Sequence, residues 1–266
     1  MGIGKEIRMR RLFGHPSGRF CSVAVDHLVG YGGGMPAGLR HIKQTLAALM
    51  AARPDAVTLH KGMIMSAWQP YAGMVPVIVQ STVAQVDNDY PGQLVTPEEA
   101  VRIGADAIAI SRFMRGPMET KYLEGVAEMV RDAQRFDLPV IIHVYPRKLD
   151  GEPRVSYEPE DIAWVVRCSA EMGVDIVKTP YCGDPVAHAQ IVADCPVPVV
   201  AAGGPRAKTL EAALEMMGEA VGAGVRGATI GRNIWGCENI TAATEAFKAV
   251  IHDGKTAQEA LKLAGL

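Results

Sequence analysis

Eight short runs of apolar, largely β-branched residues recur along the chain, separated by more polar stretches. Runs of four to eight residues that are apolar on both faces are typical of parallel strands buried on both sides. We therefore predict one strand in each of the following segments: "FCSVAVDH" from Phe20, "DAVTLHKG" from Asp55, "VPVIVQS" from Val75, "GADAIAIS" from Gly104, "LPVIIHVYP" from Leu138, "GVDIVKTP" from Gly173, "VPVVAAGGP" from Val197 and "GVRGATIG" from Gly224.

Stretches with helical spacing lie between these strands. Helices are predicted over 37–52, 117–136 and 208–221, from Thr96-Pro97-Glu98-Glu99 and from Glu158-Pro159-Glu160-Asp161, with an eighth helix and a short extra one after Ile240. Eight strand–helix units in 266 residues predict an α/β fold, a single (β/α)8 TIM barrel that forms one domain over residues 1–266. An open doubly wound sheet is the alternative.

Charge and cysteine content narrow the classes of partner and compartment. Lysine and arginine total 27 against 29 acidic residues, so the net charge of −2 provides no field to attract nucleic acid or an anionic membrane. Five scattered cysteines form no C-x-x-C pair, and the basic N-terminus lacks the apolar stretch of a secretory signal. We expect a cytoplasmic protein with no nucleic-acid and no membrane partner.

Polar residues and glycines follow the predicted strands, where barrel enzymes place their chemistry. They are Asp26-His27, His60-Lys61-Gly62, His143 to Arg147, Lys178-Thr179, Gly203-Gly204 and Gly231-Arg232-Asn233. Because glycine has no Cβ atom, backbone N–H groups in the last two loops can approach a phosphate closely, and Arg232 can add a charged donor. Simple tight turns are the alternative for these glycines.

Lys178 lies near the end of an apolar strand. Counting by twos places Ile176 and Lys178 on one face, so an inward Lys178 enters the barrel mouth among apolar neighbours. Burial lowers the pKa of an amine, and a neutral amine can attack a carbonyl to form a Schiff base. A structural lysine paired with Asp26 or Asp184 is the alternative.

Two further residues fit imine chemistry. Tyr145, which ends the adjacent predicted strand, can shuttle protons during carbinolamine dehydration and C–C cleavage. Asp26 can accept the proton of the hydroxyl whose loss starts a retro-aldol cleavage. A tyrosine that packs in the core with its hydroxyl satisfied is the alternative for Tyr145.

Motifs in matched order over nearly the whole chain resemble the class I aldolases typified by archaeal-type fructose-bisphosphate aldolase. That group includes aminodideoxyheptulosonate synthase and the LsrF-type thiolase of autoinducer breakdown. The motifs are "VDHLVGYGGGMPAGL", "TLHKGM", "VYPR", "DIVKTPYCGD", "VVAAGGPRAKT" and "ATIGRNIW".

The resemblance implies a lyase that cleaves or forms a C–C bond in a phosphorylated ketose without cofactor or metal. It implies that Lys178 is the Schiff-base lysine, Tyr145 the proton shuttle and Asp26 the first-strand carboxylate. Gly203, Gly204, Gly231 and Arg232 would line the phosphate site. It also implies a homo-oligomer, since the family often forms rings of ten.

Two departures from the aldolase pattern leave the substrate and the reaction type open. His143 stands where aldolases usually carry tryptophan, and Lys148 follows "YPR" where they tend to have glycine. We expect His60 and His143 to contact the substrate. A transaldolase- or thiolase-like transfer is one alternative, a zinc site built from His27, His60 and His143 is another, and a non-catalytic sugar-phosphate sensor is the third.

Overall fold

The computed structural model describes residues 2–29, 34–86 and 88–266, and for residues 84 and 88–91 it describes the backbone alone. The Gly30-Tyr31-Gly32-Gly33 part of the first-strand motif lies outside the described residues.

Eleven strands occur in the described part of the chain. They are β1 (Phe20–Ala24), β2 (Ala56–Leu59), β3 (Val77–Gln80), β4 (Thr82–Gln85), β5 (Asn88–Gln93), β6 (Ala107–Met114), β7 (Val140–Lys148), β8 (Arg154–Val155), β9 (Ile176–Thr179), β10 (Val199–Ala202) and β11 (Gly227–Ile230). Eight of the described strands pair in parallel in the order β1-β2-β3-β6-β7-β9-β10-β11, and β11 returns to β1. The sheet is closed, so the predicted TIM barrel is confirmed and the open sheet is wrong.

One helix, α1 (Ile3–Leu12), precedes the first strand, and the other helices follow barrel strands and lie outside the sheet. These are α2 (Ala37–Arg40), α3 (Ile42–Ala52), α4 (Lys61–Ala67), α5 (Pro97–Arg102), α6 (Glu119–Gln134), α7 (Pro159–Glu171), α8 (Pro185–Ala193), α9 (Leu210–Gly222), α10 (Arg232–Trp235), α11 (Ile240–Asp253) and α12 (Ala257–Leu263), with a 3-10 turn at Gln69–Tyr71. No helix among the described residues has the length and apolar character to cross a membrane.

Two sequence predictions of secondary structure need correction. The helix predicted over 37–52 is broken at His41, whose backbone is not helical (φ −113°, ψ 67°), while the Thr45 hydroxyl donates to the Gly38 carbonyl at 2.6 Å. The segment 82–93 was not assigned a strand, yet β4 and β5 pair there as an antiparallel hairpin. Its asparagine, aspartate, proline and glycine residues obscure the period-2 pattern.

The barrel interior and the outer layer are separate apolar clusters. The inner cluster contains Phe20, Ile78, Ile141, Ile176 and Val200, and Leu12 of α1 joins it. Val177 belongs to the outer cluster, between the sheet and the helices. The alternation along β9 therefore directs Lys178 into the barrel, as predicted.

Helix α1 packs across the barrel next to its inner cluster. Lys5 forms an ion pair with Asp175 (2.9 Å), Arg11 forms one with Asp106 (3.0 Å), and both carboxylates precede barrel strands. The basic N-terminus thus covers its own barrel, which was one of the two roles open to it from the sequence.

Gly227 provides a test of barrel closure. It is the register partner of Phe20 in the β1–β11 pair, has φ +118°, and a Cβ atom there would collide with the Phe20 backbone. We expect Gly227→Ala to lower the free energy of unfolding by about 3 kcal/mol, measured by urea denaturation. Gly222→Ala is the control, because a Cβ at that helical position meets open space. Equal stability of the two variants would contradict this account of closure.

Candidate active site

One cavity of about 500 Å³ opens at the carboxyl ends of the barrel strands. Every residue that the sequence assigned to the site lines it: Asp26, His60, His143, Tyr145, Lys178, Gly203, Gly204, Gly231 and Arg232. These residues are spread over more than 200 positions of the chain, and closure of the barrel brings them to one face.

Strands β7 and β9 place the amine beside two polar side chains. His143 and Lys178 are direct register partners, and Tyr145 lies two residues further along the same face of β7. The prediction that Tyr145 ends its strand is wrong, because β7 continues to Lys148. The Tyr145 ring stacks on Phe113 of β6 with centroids 5.3 Å apart.

Lys178 is buried, with 6% of its surface exposed. Burial lowers its pKa from 10.5 to about 8; the charge of Asp26 opposes this shift, and the charge of Arg232 adds to it. The Asp184 carboxylate is exposed, caps α8, and accepts from the N–H groups of Val186 and Ala187. Asp184 is therefore engaged at a helix end, and Asp26 is the carboxylate that interacts with the amine.

Asp26 follows β1 and lies between two histidines. Burial disfavours its charge, but the hydrogen bond and electrostatic interaction with His27, with smaller contributions that include Lys178, outweigh burial and hold the pKa of Asp26 well below its usual range. The Nδ1 atom of His27 is 3.5 Å from the Asp26 carboxylate. The Nε2–H group of His60 donates to the Asp26 carbonyl at 3.0 Å. Asp26 is thus a carboxylate at neutral pH, held from both sides.

Tyr145 and His143 are shifted in opposite directions by the same cause. Burial raises the pKa of the Tyr145 phenol to about 12, so the hydroxyl keeps its proton. Burial, with the charge of Lys178, lowers the pKa of His143 well below its ordinary value, so the imidazole is neutral. The site therefore combines a partly neutral amine, an anionic carboxylate and a protonated phenol.

Two loops, after β10 and after β11, form one wall of the cavity and are joined by side chains. The Asn233 amide donates to the carbonyls of Gly203 (2.7 Å) and Pro205 (3.0 Å), and Arg232 donates to the Gly204 carbonyl (3.2 Å). Gly204 has φ +71°, and a Cβ on Gly231 would collide with the His27 ring. The backbone of Gly204 and the packing of Gly231 against His27 therefore favour glycine at both positions, and phosphate binding by these loops stays a prediction.

The three strand-end histidines line the same cavity, but each has a different setting. His27 packs edge-on against Trp235, His60 is bonded to the Asp26 backbone, and His143 lies beside Lys178. In the ranges that the structure describes, no three His, Cys, Asp or Glu side chains are arranged to hold a metal ion.

Several residues of the cavity wall were missed from the sequence. Gln80 donates to the Ser111 hydroxyl at 2.7 Å, and Thr82 and Phe113 lie beside them. Gln80 and Ser111 each end an apolar run. A polar residue at the end of an apolar run is the signal that identified Lys178, and it could have identified these two residues as well. Tyr157 lies in the loop after β8, where the sequence carries no such signal.

Comparisons with known proteins agree with a barrel enzyme whose site lies at the strand ends. The model of the DeoC/LacD family of aldolases matches residues 20–236. A 2-amino-4,5-dihydroxy-6-oxo-7-(phosphonooxy)heptanoate synthase of Streptomyces griseus is 29% identical over 99% of this chain and 96% of its own length. The class 1 fructose-bisphosphate aldolase of Thermoproteus tenax is 32% identical over 79% of each chain.

A solved structure shows the same likeness. An archaeal fructose-1,6-bisphosphate aldolase, whose catalytic lysine is covalently bound to the carbinolamine intermediate of the substrate, superimposes with a TM-score of 0.81. It is 28% identical, and the match covers 94% of this chain and 99% of the other.

The fold and the site define an enzyme of the class I aldolase type, which works through a lysine Schiff base. The chain belongs to the DeoC/LacD family of aldolases. The sequence alternative of a non-catalytic sugar-phosphate sensor is therefore wrong.

The electrostatics of Lys178 can be tested by its reactivity. We expect Asp26→Asn to lower the pKa of Lys178, because a negative charge that favours the ammonium is removed, and Arg232→Gln to raise it. The rate of Lys178 modification by an amine-selective reagent, followed by peptide mass spectrometry across pH, reports the neutral fraction. A parent midpoint near 10.5, or shifts of the same sign in both variants, would contradict the assignment.

Proposed function

We propose that this protein is a class I aldolase that cleaves or forms a C–C bond in a phosphorylated ketose, with Lys178 as the Schiff-base lysine. The observation that carries the proposal is the buried Lys178 amine with a pKa of about 8, in the same cavity as Asp26 and the glycine loops after β10 and β11. At pH 7 about a tenth of an amine with a pKa of about 8 is neutral, compared with well under a thousandth at 10.5, and attack on a carbonyl requires this neutral form.

The residues of the cavity fit the steps of this reaction. The Lys178 amine attacks the ketone, and the Tyr145 phenol donates the proton with which the carbinolamine oxygen leaves as water. Asp26 then accepts the proton of the substrate hydroxyl, the C–C bond breaks, an aldehyde leaves, and the electron pair moves into the iminium to give an enamine. The proton held by Asp26 then passes to the enamine carbon, and water hydrolyses the resulting iminium while Tyr145 regains its proton, which returns the free amine.

The wall formed by the loops after β10 and β11 suits the phosphate group. Arg232 lines it, and the loops that carry Gly203, Gly204 and Gly231 are cross-linked through Asn233. An anion there interacts with a charged guanidinium and with close backbone N–H groups. His60 and His143 supply neighbouring hydrogen-bonding positions for the hydroxylated part of the substrate.

Transfer to a second substrate is the other candidate, and the likeness to the Streptomyces griseus synthase over 99% of this chain favours it. Such a reaction uses the same imine and differs in the acceptor that the enamine attacks. His143, beside Lys178 where aldolases usually carry tryptophan, is positioned to influence that choice.

We also propose that residues 1–266 form one domain and that the protein works in the cytoplasm. The five described cysteines are free thiols, which suits a reducing compartment. Limited proteolysis that yields a stable fragment well short of the full barrel, or recovery of the protein in a secreted fraction, would contradict these proposals.

Loss of the amine should abolish the chemistry. We expect Lys178→Ala to lose turnover and to lose borohydride trapping of a phosphorylated ketose, measured by intact mass. Lys178→Arg should also fail, because a guanidinium stays protonated and offers no nucleophilic lone pair. Trapping that persists in either variant would show that another amine forms the imine.

Loss of the phenol should slow proton transfer selectively. We expect Tyr145→Phe to reduce kcat by about 10²–10⁴-fold while KM changes little, because the ring and its stacking on Phe113 are retained. Steady-state kinetics give both constants, and borohydride trapping should continue at a slower rate. A kcat within about twofold of the parent would assign Tyr145 a packing role.

We expect the protein to form a homo-oligomer, and the family resemblance implies ten copies. Ile3 and Ile7 lie one turn apart on α1 and are 71% and 45% exposed, which provides an apolar patch for a neighbour. Light scattering should therefore give a mass that is a multiple of 28.4 kDa. A monomeric mass at working concentration would remove this proposal.

A further inference from the structure

The two sides of the cavity lie across the barrel from one another. Strands β10 and β11 carry the proposed phosphate loops, and counting four strands round the ring leads from β10 to β3 and from β11 to β6. The wall opposite the phosphate loops therefore contains Gln80, which ends β3, and Ser111, which lies in β6. Thr82, Val86 and Phe113 complete it. We call this the β3/β6 wall.

No described residue of the β3/β6 wall has a charged side chain. Among the described lining residues of the cavity, the lysines and arginines are Lys178 and Arg232, and both are on the phosphate side, on β9 and just after β11. The cavity histidines lie near Lys178 or Asp26 instead. A second phosphate at the β3/β6 wall would have no cationic partner.

The basic residues on and near β6 and β7 are bonded to other groups of the protein and do not line the cavity. Arg147 donates to the carbonyls of Arg115 (2.8 Å) and Val86 (3.2 Å), and Lys148 pairs with Glu158 at 3.4 Å.

The two arginines of β6 and the turn after it have partners of their own. Arg115 stacks over Trp164, 3.8 Å from the ring centroid. Arg112 donates to the Ser111 carbonyl at 2.9 Å, and the strand alternation directs it away from the interior. None of these four lines the cavity.

No side chain that the structure leaves undescribed can supply the missing cation. Residue 1 is methionine, residues 30–33 read Gly-Tyr-Gly-Gly, residue 87 is aspartate, and residues 84 and 88–91 are alanine, asparagine, aspartate, tyrosine and proline. None of these side chains is positively charged at neutral pH.

Hydrogen-bonding groups are present at the β3/β6 wall instead. The Gln80 amide donates to the Ser111 hydroxyl oxygen at 2.7 Å, which leaves the Ser111 proton available to a substrate oxygen. Thr82 accepts from the Ser111 N–H at 2.7 Å, so both hydroxyls are held in place. A neutral hydroxyl or carbonyl group matches such a wall better than a dianion.

We propose that the substrate carries a single phosphate, on the carbon next to the ketone, and that the fragment reaching the β3/β6 wall is uncharged and polar. This inference rests on the proposed function, because it assumes that Lys178 forms the imine and that the substrate phosphate binds beside Arg232. The ketone carbon lies at β9, next to the phosphate loop of β10, and the released or accepted aldehyde lies at the β3/β6 wall.

The test is competition for the imine site. Dihydroxyacetone phosphate is trapped on Lys178 with borohydride, and fructose 1-phosphate and fructose 1,6-bisphosphate are compared as competitors. We expect the monophosphate to compete at least tenfold better, since its distal end places no charge at the wall. A preference of at least threefold for the monophosphate supports the inference. The inference is overturned if the preference is smaller, if neither sugar competes, or if the bisphosphate is preferred. Absence of any dihydroxyacetone phosphate adduct would instead refute the proposed function.

A charge introduced at the β3/β6 wall tests the same inference independently. Val86→Lys places an ammonium beside the cavity, and Val86→Met is the control of similar length without charge. We expect Val86→Lys to shift the competition ratio toward the bisphosphate by at least tenfold relative to Val86→Met. An equal ratio in the two variants would show that the Val86 position does not face the distal end of the substrate, and would overturn the assignment of the wall.

Discussion

The burial of one amine inside a closed barrel is the constraint on which the site depends. Closure of the sheet forces alternate residues of each strand inward, so Lys178 follows Ile176 into the interior. Desolvation there disfavours the ammonium, whereas Asp26 stabilises it, and the result is an amine whose pKa is about 8. Loss of Asp26 would lower the pKa of the amine further and remove the carboxylate beside it, and without burial the amine would remain protonated.

The charges around this amine are distributed unevenly, and the distribution matches the proposed substrate. Arg232 and the loops after β10 and β11 form one side, while the opposite wall contains the neutral Gln80–Ser111 pair. The Asn233 amide holds the first side together by binding the Gly203 and Pro205 carbonyls. A ligand with one anionic end and one neutral polar end is therefore oriented by the cavity before any bond changes.

The eight strands and the strand-end residues were predictable because barrel strands leave a local signature, an apolar run followed by a polar residue or glycine. The break at His41 was not predictable in this way, since it depends on the Thr45 hydroxyl reaching the Gly38 carbonyl. The Gln80–Ser111 hydrogen bond joins β3 to β6, which are 31 residues apart in sequence. Which side chains meet in this way depends on the order of the strands in the sheet, and the sequence of one strand does not contain that information. The shifts of Lys178, Tyr145 and His143 likewise depend on burial by distant segments.

The central claim is that the substrate carbonyl becomes bonded to the Lys178 nitrogen. The most direct measurement is NMR of dihydroxyacetone phosphate labelled with ¹³C at its carbonyl, bound to protein with ¹⁵N in its lysine side chains. The account predicts a carbonyl-derived carbon signal split by one-bond coupling to nitrogen in the parent protein and absent in Lys178→Arg. A bound ligand without that coupling, or a coupling that survives in Lys178→Arg, would contradict it.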